Sequence, residues 1–257
     1  MKVIYILLIL IAFSSCTTKK VVKVDKKNRI KKIEKFFDSI NQRRKKIKSI
    51  QIEAKADTFN KGKRVRGKLM MSTTRPDMLR VDTLSPFDQP ISTMLVSNNQ
   101  LFFYNFEQKK QYYGVASTKN LSLFLPIRIS LKQFIDMFSG ISPVIPYKKY
   151  EFKYIDKTAE YELILLNDEI MQKIKYIASD LQISSVEFYK NNKKTLSIKF
   201  SNIKKSNNFN YAKKIYFEDF NSKSKLKLII TDIEYNGEVD NSIYEPIDWK
   251  YSKEELE

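Results

Sequence analysis

The chain has 257 residues, 42% of them hydrophobic, with only 5 Gly and 7 Pro. This is the composition of a globular chain with a sizeable core, and it excludes a disordered or collagen-like one. The formal net charge of +18 suits nucleic acid or anionic lipid as a partner, although a lysine-rich genome would give the same excess. The absence of His and the presence of one Cys, Cys16, exclude His-dependent triads, His metal sites, intrachain disulfides and cysteine metal clusters.

The N-terminus has the layout of an export signal. A basic start, Met1-Lys2, precedes an apolar run over 3–13 and then Ser14-Ser15-Cys16, which predicts a signal peptide over residues 1–15. The run is shorter than the ~20 residues that a membrane-spanning helix needs. The alternative is an ordinary signal peptide in which the position of the cysteine is a coincidence.

The position of Cys16 resembles the lipobox of bacterial lipoproteins, although Phe13 stands where Leu is usual. That resemblance implies that Cys16 becomes the first mature residue and carries diacylglycerol and an N-acyl chain, of which palmitate is typical. Several acyl chains on one residue give stable anchoring. Thr17 stands where the inner-membrane retention signal of enterobacteria has Asp, so the resemblance points to the outer membrane. Export weakens the nucleic-acid interpretation of the charge.

Residues 16–27 are polar and basic and predict a flexible tether, and residues 28–257 predict a single domain. From residue 28, apolar residues recur every three or four positions, which predicts an amphipathic helix; these are Ile30, Ile33, Phe36 or Phe37, Ile40 and Ile47. The helix either packs on the core with a solvated cationic face or lies on the membrane with its basic residues facing lipid phosphates.

Alternating segments separated by short polar turns follow through most of the chain. They predict about eleven or twelve antiparallel strands in one curved sheet. The 13 candidate segments are 50–59, 63–73, 78–84, 91–96, 100–106, 111–115, 147–155, 161–166, 173–178, 184–190, 195–200, 213–217 and 226–235. Residues 241–257 are expected to pack as a tail at the rim.

The turn Ser85-Pro86-Phe87-Asp88-Gln89-Pro90 separates two of these strands. Pro86 fixes its own φ, and Pro90 biases Gln89 toward extended geometry, so the turn is expected to be stiff. Phe87 is then poorly placed to fold back onto its own strands, and exposing it gives up ~1.5–3 kcal/mol of burial. The alternatives are a core plug or a loop that packs on a neighbouring helix.

Residues 117–140 interrupt the strand pattern. Ser117-Thr118 can cap a short helix that ends before Pro126, and Ser130 can cap a second helix over 131–138 with Gly140 as its stop. The apolar residues predicted to form a lid over the sheet are Leu121, Phe124, Leu131, Phe134, Ile135 and Phe138. The alternative is that the two helices plug the end of an ordinary barrel.

The order of these features resembles the LolB outer-membrane lipoprotein receptor family within the wider LolA/LolB fold. The resemblance is clearest from residue 65 to residue 144, where the chain reads RPDMLRVDTLSPFDQP and later KKQYYGVASTKNLSLFLPIRISLKQFIDMFSG. It implies an unclosed β-barrel of about eleven antiparallel strands with helices over its hydrophobic concave side, preceded here by the amphipathic helix. It also implies a protruding apolar residue after a Pro that promotes insertion into the bilayer. Pro86, Phe87 and Asp88 match that loop, with Phe for the usual Leu and Asp for the common Gly.

The resemblance further implies a protein that binds acylated lipoproteins in an apolar cavity and helps to insert them into the outer membrane. The acyl-chain lining expected from strand alternation comprises Leu69, Met71, Leu79, Val81, Met94, Val96, Leu101 and Phe103, and for each of them plain core packing is the alternative. The expected partners are acylated lipoproteins, outer-membrane lipid and a periplasmic LolA-like carrier, without nucleic acid. The expected protein is a monomer anchored at the periplasmic face of the outer membrane.

Apart from the covalent lipid on Cys16, we expect no cofactor. We also expect no metal and no catalytic residue. An enzyme that uses carboxylates or Lys is the weakest hypothesis, because the sequence has no paired acidic motif and no phosphate-binding Gly loop. The main alternative to lipoprotein insertion is a structural envelope lipoprotein that uses the same sheet to bind a protein or cell-wall partner.

Overall fold

A computed structural model describes residues 23–60, 63–125 and 129–257. Its described strands form one sheet of 14 strands in the order β14-β6-β5-β4-β3-β2-β1-β13-β12-β11-β10-β9-β8-β7. The strands are β1 (Ser49–Asn60), β2 (Lys63–Thr74), β3 (Met78–Leu84), β4 (Pro90–Ser97), β5 (Gln100–Asn105), β6 (Lys110–Val115), β7 (Lys149–Ile155), β8 (Glu160–Leu166), β9 (Ile170–Ile177), β10 (Ile183–Lys190), β11 (Lys193–Ser206), β12 (Phe209–Asp219), β13 (Ser224–Tyr235) and β14 (Ser252–Glu255).

The sheet is unclosed, because β7 and β14 lie at opposite edges. The prediction of a mainly β fold with one large unclosed sheet is confirmed. The prediction of about eleven or twelve strands is wrong, because the described sheet has 14. The prediction of purely antiparallel pairing is also wrong, because β14 pairs with β6 in parallel. β14 reads Ser-Lys-Glu-Glu and is exposed throughout, so no alternation marks it. Its pairing with the edge of β6 makes it a strand.

One face of the sheet carries the helices and most of the core, and we call it the inner face. On β2 to β5, alternate residues such as Met71, Leu79, Val96 and Leu101 are almost completely buried there. They belong to the same hydrophobic cluster as the apolar residues of the helices. The sheet and the helices therefore share one core.

In the described part of the chain, three α-helices pack on the inner face: α1 (Ile33–Lys46), α2 (Thr118–Leu121) and α3 (Leu131–Phe138). α1 buries Ile33, Phe36 and Ile40, and the Phe36 ring centroid lies 4.9 Å from that of Tyr176. Its apolar face therefore packs on the β8–β9 part of the core. The Ser130 side chain accepts from Gln133 N and the Gln133 side chain accepts from Ser130 N, a capping box that fixes the start of α3.

The C-terminal segment covers the opposite, outer face of β3 to β6. A 3-10 helix, Asn241–Tyr244, places the Tyr244 hydroxyl 3.1 Å from Thr74 Oγ1. Trp249 then packs against Tyr104 at 5.5 Å and Phe106 at 5.4 Å between ring centroids. The tail thus lies across the sheet before it adds β14 to the edge. Within the described ranges, no helix has the length and apolar character required to cross a membrane.

Candidate functional site

An apolar cavity of about 350 Å³ lies between the inner face and the α2–α3 region. One wall comes from β1 to β5, β12 and β13, and the other from residues 123–125 and α3. The Phe124 ring stacks on Phe103, with 4.0 Å between centroids and 12° between planes. Phe134 and Phe138 meet edge to face at 5.3 Å beside them. The volume is at the lower end of the ~300–1,000 Å³ found for small-molecule pockets.

The predicted lining residues fall into two groups. Leu69, Val81, Met94 and Phe103 line the cavity. Met71, Leu79, Val96 and Leu101 are buried in the core cluster and are not among the residues that line it. The register explains the division for Leu79, Val96 and Leu101, which pair with one another toward the strand ends where residues 98–99 turn. It does not separate Met71, which pairs with the lining residue Val81. The cavity therefore occupies the half of the inner face that is nearer to the Phe87 turn.

The predicted lid residues are all at least half-buried. Phe124, Phe134 and Phe138 line the cavity, whereas Leu121 and Ile135 are completely buried and Leu131 is nearly so. Leu123, by contrast, remains 61% exposed beside them. The described residues of the α2–α3 region therefore cover one side of the cavity chiefly with aromatic side chains.

A buried ion cluster fixes α3 in place. Asp136, which is 2% exposed, lies between two arginines. Its Oδ2 is 2.9 Å from Arg44 Nη2 of α1, and its Oδ1 is 2.8 Å from Arg75 Nη1 in the β2–β3 turn. Arg75 Nη2 also donates to Ser139 Oγ at 2.8 Å. One carboxylate thus connects α1, α3 and a sheet connection.

Buried tyrosines attach the same region to the C-terminal half of the sheet. Tyr235 donates to the Phe138 carbonyl at 3.0 Å, and the Tyr176 hydroxyl accepts from Ser142 N at 3.1 Å. Burial raises the pKa of Tyr176 to about 12 and also raises the pKa of Tyr235. Both hydroxyls are therefore neutral at ordinary pH and act as hydrogen-bonding groups. Nearby, desolvation lowers the pKa of Arg43, which donates to Gln182 Oε1 and to the Asn210 carbonyl.

The Phe87 turn is fixed by its own hydrogen bonds. Ser85 Oγ accepts from Phe87 N and Gln89 N at 3.2 Å each, and Ser85 N donates to the Gln89 carbonyl at 2.8 Å. Asp88 adopts φ 62°, a conformation that Asp tolerates better than most residues, and Lys68 Nζ lies 2.6 Å from its Oδ1. The Phe87 side chain is left 86% exposed. It neither plugs the core nor packs on a helix.

Gly67 permits the close approach of the strand that leads into this turn. A Cβ at Gly67 would lie 2.5 Å from the Leu84 carbonyl oxygen, and a backbone atom cannot move aside as a side chain can. The glycine of β2 thus sets the position at which β3 ends.

A second cavity, of about 530 Å³, lies beside the first and shares Leu125 with it. Ile129, Phe188 and Leu196 supply apolar walls. Its polar lining includes Lys190, Asp219 and Ser222, which lie at or beside the turns after β10 and β12. We call it the rim cavity.

Several lining residues were missed by the sequence analysis. They are Ala56, Thr58, Thr83, Ser92, Leu123, Leu125, Phe217, Leu226 and Leu228. The alternation in β1, β12 and β13 carries the signal for most of them. It was not used, because the family resemblance is clear only between residues 65 and 144.

Several predictions lie wholly or partly outside the described residues. Cys16, the signal peptide and the tether up to residue 22 fall there, as does Pro126 at the predicted helix end. The described end of the tether contacts the sheet: Val24 N donates to the Tyr154 hydroxyl at 3.3 Å. Within the described ranges, no group of three or more Cys, Asp or Glu side chains could hold a metal ion.

The architecture is a single long curved sheet with helices packed against one face, and the cavity lies between the sheet and two of these helices. No family model matches the sequence, and no curated protein matches it. Solved structures do match. A domain from Vibrio parahaemolyticus described as an outer membrane lipoprotein-sorting protein aligns with a TM-score of 0.60 at 12% identity, covering 83% of this chain and 97% of that one.

Two further structures extend the comparison. A DUF1329 family protein from Desulfovibrio piger aligns with a TM-score of 0.63 at 12% identity, covering 83% of this chain and 97% of that chain. A LolA superfamily protein from Nitrosomonas europaea aligns with a TM-score of 0.51 at 16% identity, covering 81% and 97%. At these identities the likeness shows the fold: the chain has the LolA/LolB type of fold.

Proposed function

We propose that this chain is a lipid-anchored envelope protein that holds the acyl chains of lipoproteins in the cavity under α2 and α3 and helps to insert them into the outer membrane. The observation that carries the proposal is the apolar cavity itself, built in a fold shared with a domain described as lipoprotein-sorting. Cys16 would carry the anchor, and the cargo would be delivered by a periplasmic carrier.

Such a protein needs no fuel and no catalytic group. Each methylene withdrawn from water contributes ~0.8 kcal/mol, so cargo moves toward whichever apolar environment covers more of its chains. Met94 and the five Phe side chains of the lining offer a surface that can adapt to chains of different shape. At about 350 Å³ the cavity suits part of an acyl chain or a single chain, and α2 would have to shift to admit more.

Phe87 would act at the last step, entry into the bilayer. Its side chain is 86% exposed on a turn that Ser85 stiffens, so inserting the ring into lipid breaks no contact with the core. Asp88 is the obstacle to deep entry, and its ion pair with Lys68 offsets the charge. The proposed role is therefore shallow insertion.

The cavity is tested by crosslinking in cells that incorporate a diazirine palmitate into their lipoproteins. Ala56 lines the cavity, and Ala56→Phe should fill it and reduce crosslinked adducts by tenfold or more. Lys55→Phe is the matched control, because the neighbouring side chain on β1 points to the other face. If the two variants form equal adducts, the cavity does not hold acyl chains, and a structural lipoprotein that binds an envelope partner becomes the better account.

The insertion step is tested separately by Phe87→Glu. In the Phe87→Glu variant, lipoproteins should fail to reach the outer membrane, whereas Phe87→Leu should support normal delivery. Normal delivery by the Glu variant would remove the proposed role of the turn and leave acyl binding untouched.

A further inference from the structure

The two ends of the sheet differ chemically. Because neighbouring strands alternate in direction, the turns β1–β2, β3–β4, β5–β6, β8–β9, β10–β11 and β12–β13 all lie at the end that carries Phe87, as does the start of β7. We call these connections, with the two strand residues beside each, the basic rim. The connections at the opposite strand ends form the far rim.

Exposed cations dominate the basic rim. Five of the seven members of the rim contribute at least one, including Lys63, Lys109, Lys149, Lys190, Lys193 and Lys223, whereas the β3–β4 and β8–β9 turns contribute none. The exposed carboxylates among its described residues are Asp88, Glu107, Asp168 and Glu169. Three of these carboxylates pair with rim or neighbouring lysines, whereas Lys149, Lys193 and Lys223 form no ion pair within the described part of the chain. The basic rim thus carries a clear positive excess.

The far rim carries no such excess. Its exposed carboxylates are Asp77, Asp156, Glu234, Glu238 and Asp240. They stand against the exposed lysines Lys46, Lys48, Lys157 and Lys205. Among the strand connections, the positive charge is therefore concentrated at the end that carries Phe87, although Lys23, Lys26 and Arg29 of the N-terminal segment lie close to Asp156 at the far end.

Exposed aromatic side chains show the same asymmetry. Phe87 is joined on the basic rim by Phe59 at 44% exposed and Phe220 at 42%, with Tyr147 and Tyr150 between 40% and 50%. Tyr251, which is also exposed, lies at the same end of the sheet, because the next residue, Ser252, pairs with Lys110. On the far rim, Val115 is the large hydrophobic residue that is comparably exposed among the described residues. Aromatic residues with Lys beside them suit the boundary between lipid headgroups and acyl chains.

From this coincidence we propose that the basic rim is a docking surface for a membrane that contains anionic phospholipid, with Phe220 and Phe59 entering the interface beside Phe87. The charge is complementary to such a surface, and lysines contribute additively near it. The aromatic residues come from connections along the sheet and do not line one groove, which fits a planar partner better than a folded protein. The rim cavity, with Lys190 and Ser222 in its lining, would then open toward the lipid.

Docking by the rim goes beyond the proposed function, because it requires no cargo and because it uses residues besides Phe87. It is tested on the full chain with Cys16→Ser, which removes the acyl anchor and the native cysteine. A polarity-sensitive fluorophore is placed through Phe220→Cys on the basic rim or through Asn208→Cys in the β11–β12 turn of the far rim. Vesicles of phosphatidylcholine with and without 30% phosphatidylglycerol are the probes, with quencher lipids reporting contact.

The label at position 220 should shift to the blue and be quenched on anionic vesicles only, and the label at 208 should not respond. Replacing Lys149, Lys193 and Lys223 by Gln should raise the lipid concentration needed for half-maximal binding by about a hundredfold at low salt, since each lysine contributes roughly fivefold to the affinity for anionic vesicles. The matched triple replacement of Lys48, Lys157 and Lys205 by Gln should stay within twofold.

Three results would overturn the docking proposal: equal responses of the two labels, equal binding to neutral vesicles, or no loss in the rim triple variant. Polyglutamate is the control for a protein partner. If it shifts the label at 220 as vesicles do, the rim is a surface for an acidic protein and the lipid assignment is wrong. None of these results depends on lipoprotein transfer, so the proposed function is judged separately by the Phe87 and Ala56 variants.

Discussion

Removing the Asp136 carboxylate should be among the most destabilising single changes outside the apolar core. Asp136→Ala leaves two guanidinium groups without a partner, and the Arg75 side chain is only 13% exposed. Breaking a buried pair in this way costs about 3–5 kcal/mol. Because Arg44 is 27% exposed and can turn toward solvent, the lower figure applies. We expect a loss of about 3 kcal/mol in the free energy of unfolding, or about 6–12 °C in Tm for a chain of this size.

Urea unfolding followed by circular dichroism measures this loss. Asp168→Ala is the matched control: its ion pair with Lys148 is 74% and 69% exposed and should contribute within about 0.5 kcal/mol. Adding Arg75→Ala to Asp136→Ala should cost less than the sum of the single changes, because it removes a charge left unpaired. A loss below about 1 kcal/mol for Asp136→Ala, or strict additivity of the double variant, would refute the view that this cluster fixes α3.

Three more predictions follow from buried or closely packed residues. Since the folded pKa of Tyr176 is raised to about 12, its stabilisation is complete below pH 10 and is lost between pH 10 and pH 12. Between pH 10 and pH 12, the unfolding free energy of Tyr176→Phe should therefore fall less steeply than that of the wild type, by about 1.4 kcal/mol per pH unit. The exposed control Tyr147→Phe should follow the wild type. If the Tyr176→Phe and wild-type curves were parallel, the assignment to Tyr176 would be wrong. Trp249→Ala should cost about 3 kcal/mol in urea unfolding, and a cost below 1 kcal/mol would mean that the tail is not part of the folded unit. Gly67→Ala should cost about 1–3 kcal/mol and alter the fluorescence of a label at position 87; an unchanged label would show that β2 does not position the turn.

The sequence predicts the strands and helices that have a regular apolar period. The second lid helix was expected over 131–138 with Ser130 as its cap, and α3 has these bounds. α2 is shorter than its apolar run indicates, because the run continues through 122–125 as turns. The apolar residues of a turn and those of a helix cannot be told apart by composition when both face the same core.

What the sequence could not show is how the strand ends are distributed in space. Phe87 could be judged exposed from two prolines and a short turn, because those constraints are local. The sequence analysis gave the eight expected lining residues as one set, because Val81 and Leu79 have the same alternation and differ only in their distance from the strand ends. The distance of a residue from the end of its strand cannot be predicted from the apolar period or from the composition.

The same reasoning explains why the basic rim is invisible in the sequence. Its lysines are separated by long stretches of chain, from Lys63 to Lys223, and although Lys63 belongs to the basic run 61–68, that run does not show which other connections lie beside it. They come together because an antiparallel sheet returns every second connection to the same end. Of the connections so assembled, one carries Phe87, and the cavity lies under the same half of the sheet. An apolar cavity, an exposed aromatic turn and a cationic rim thus share one end of the molecule, and a membrane bearing negative charge is the partner that would engage all three at once.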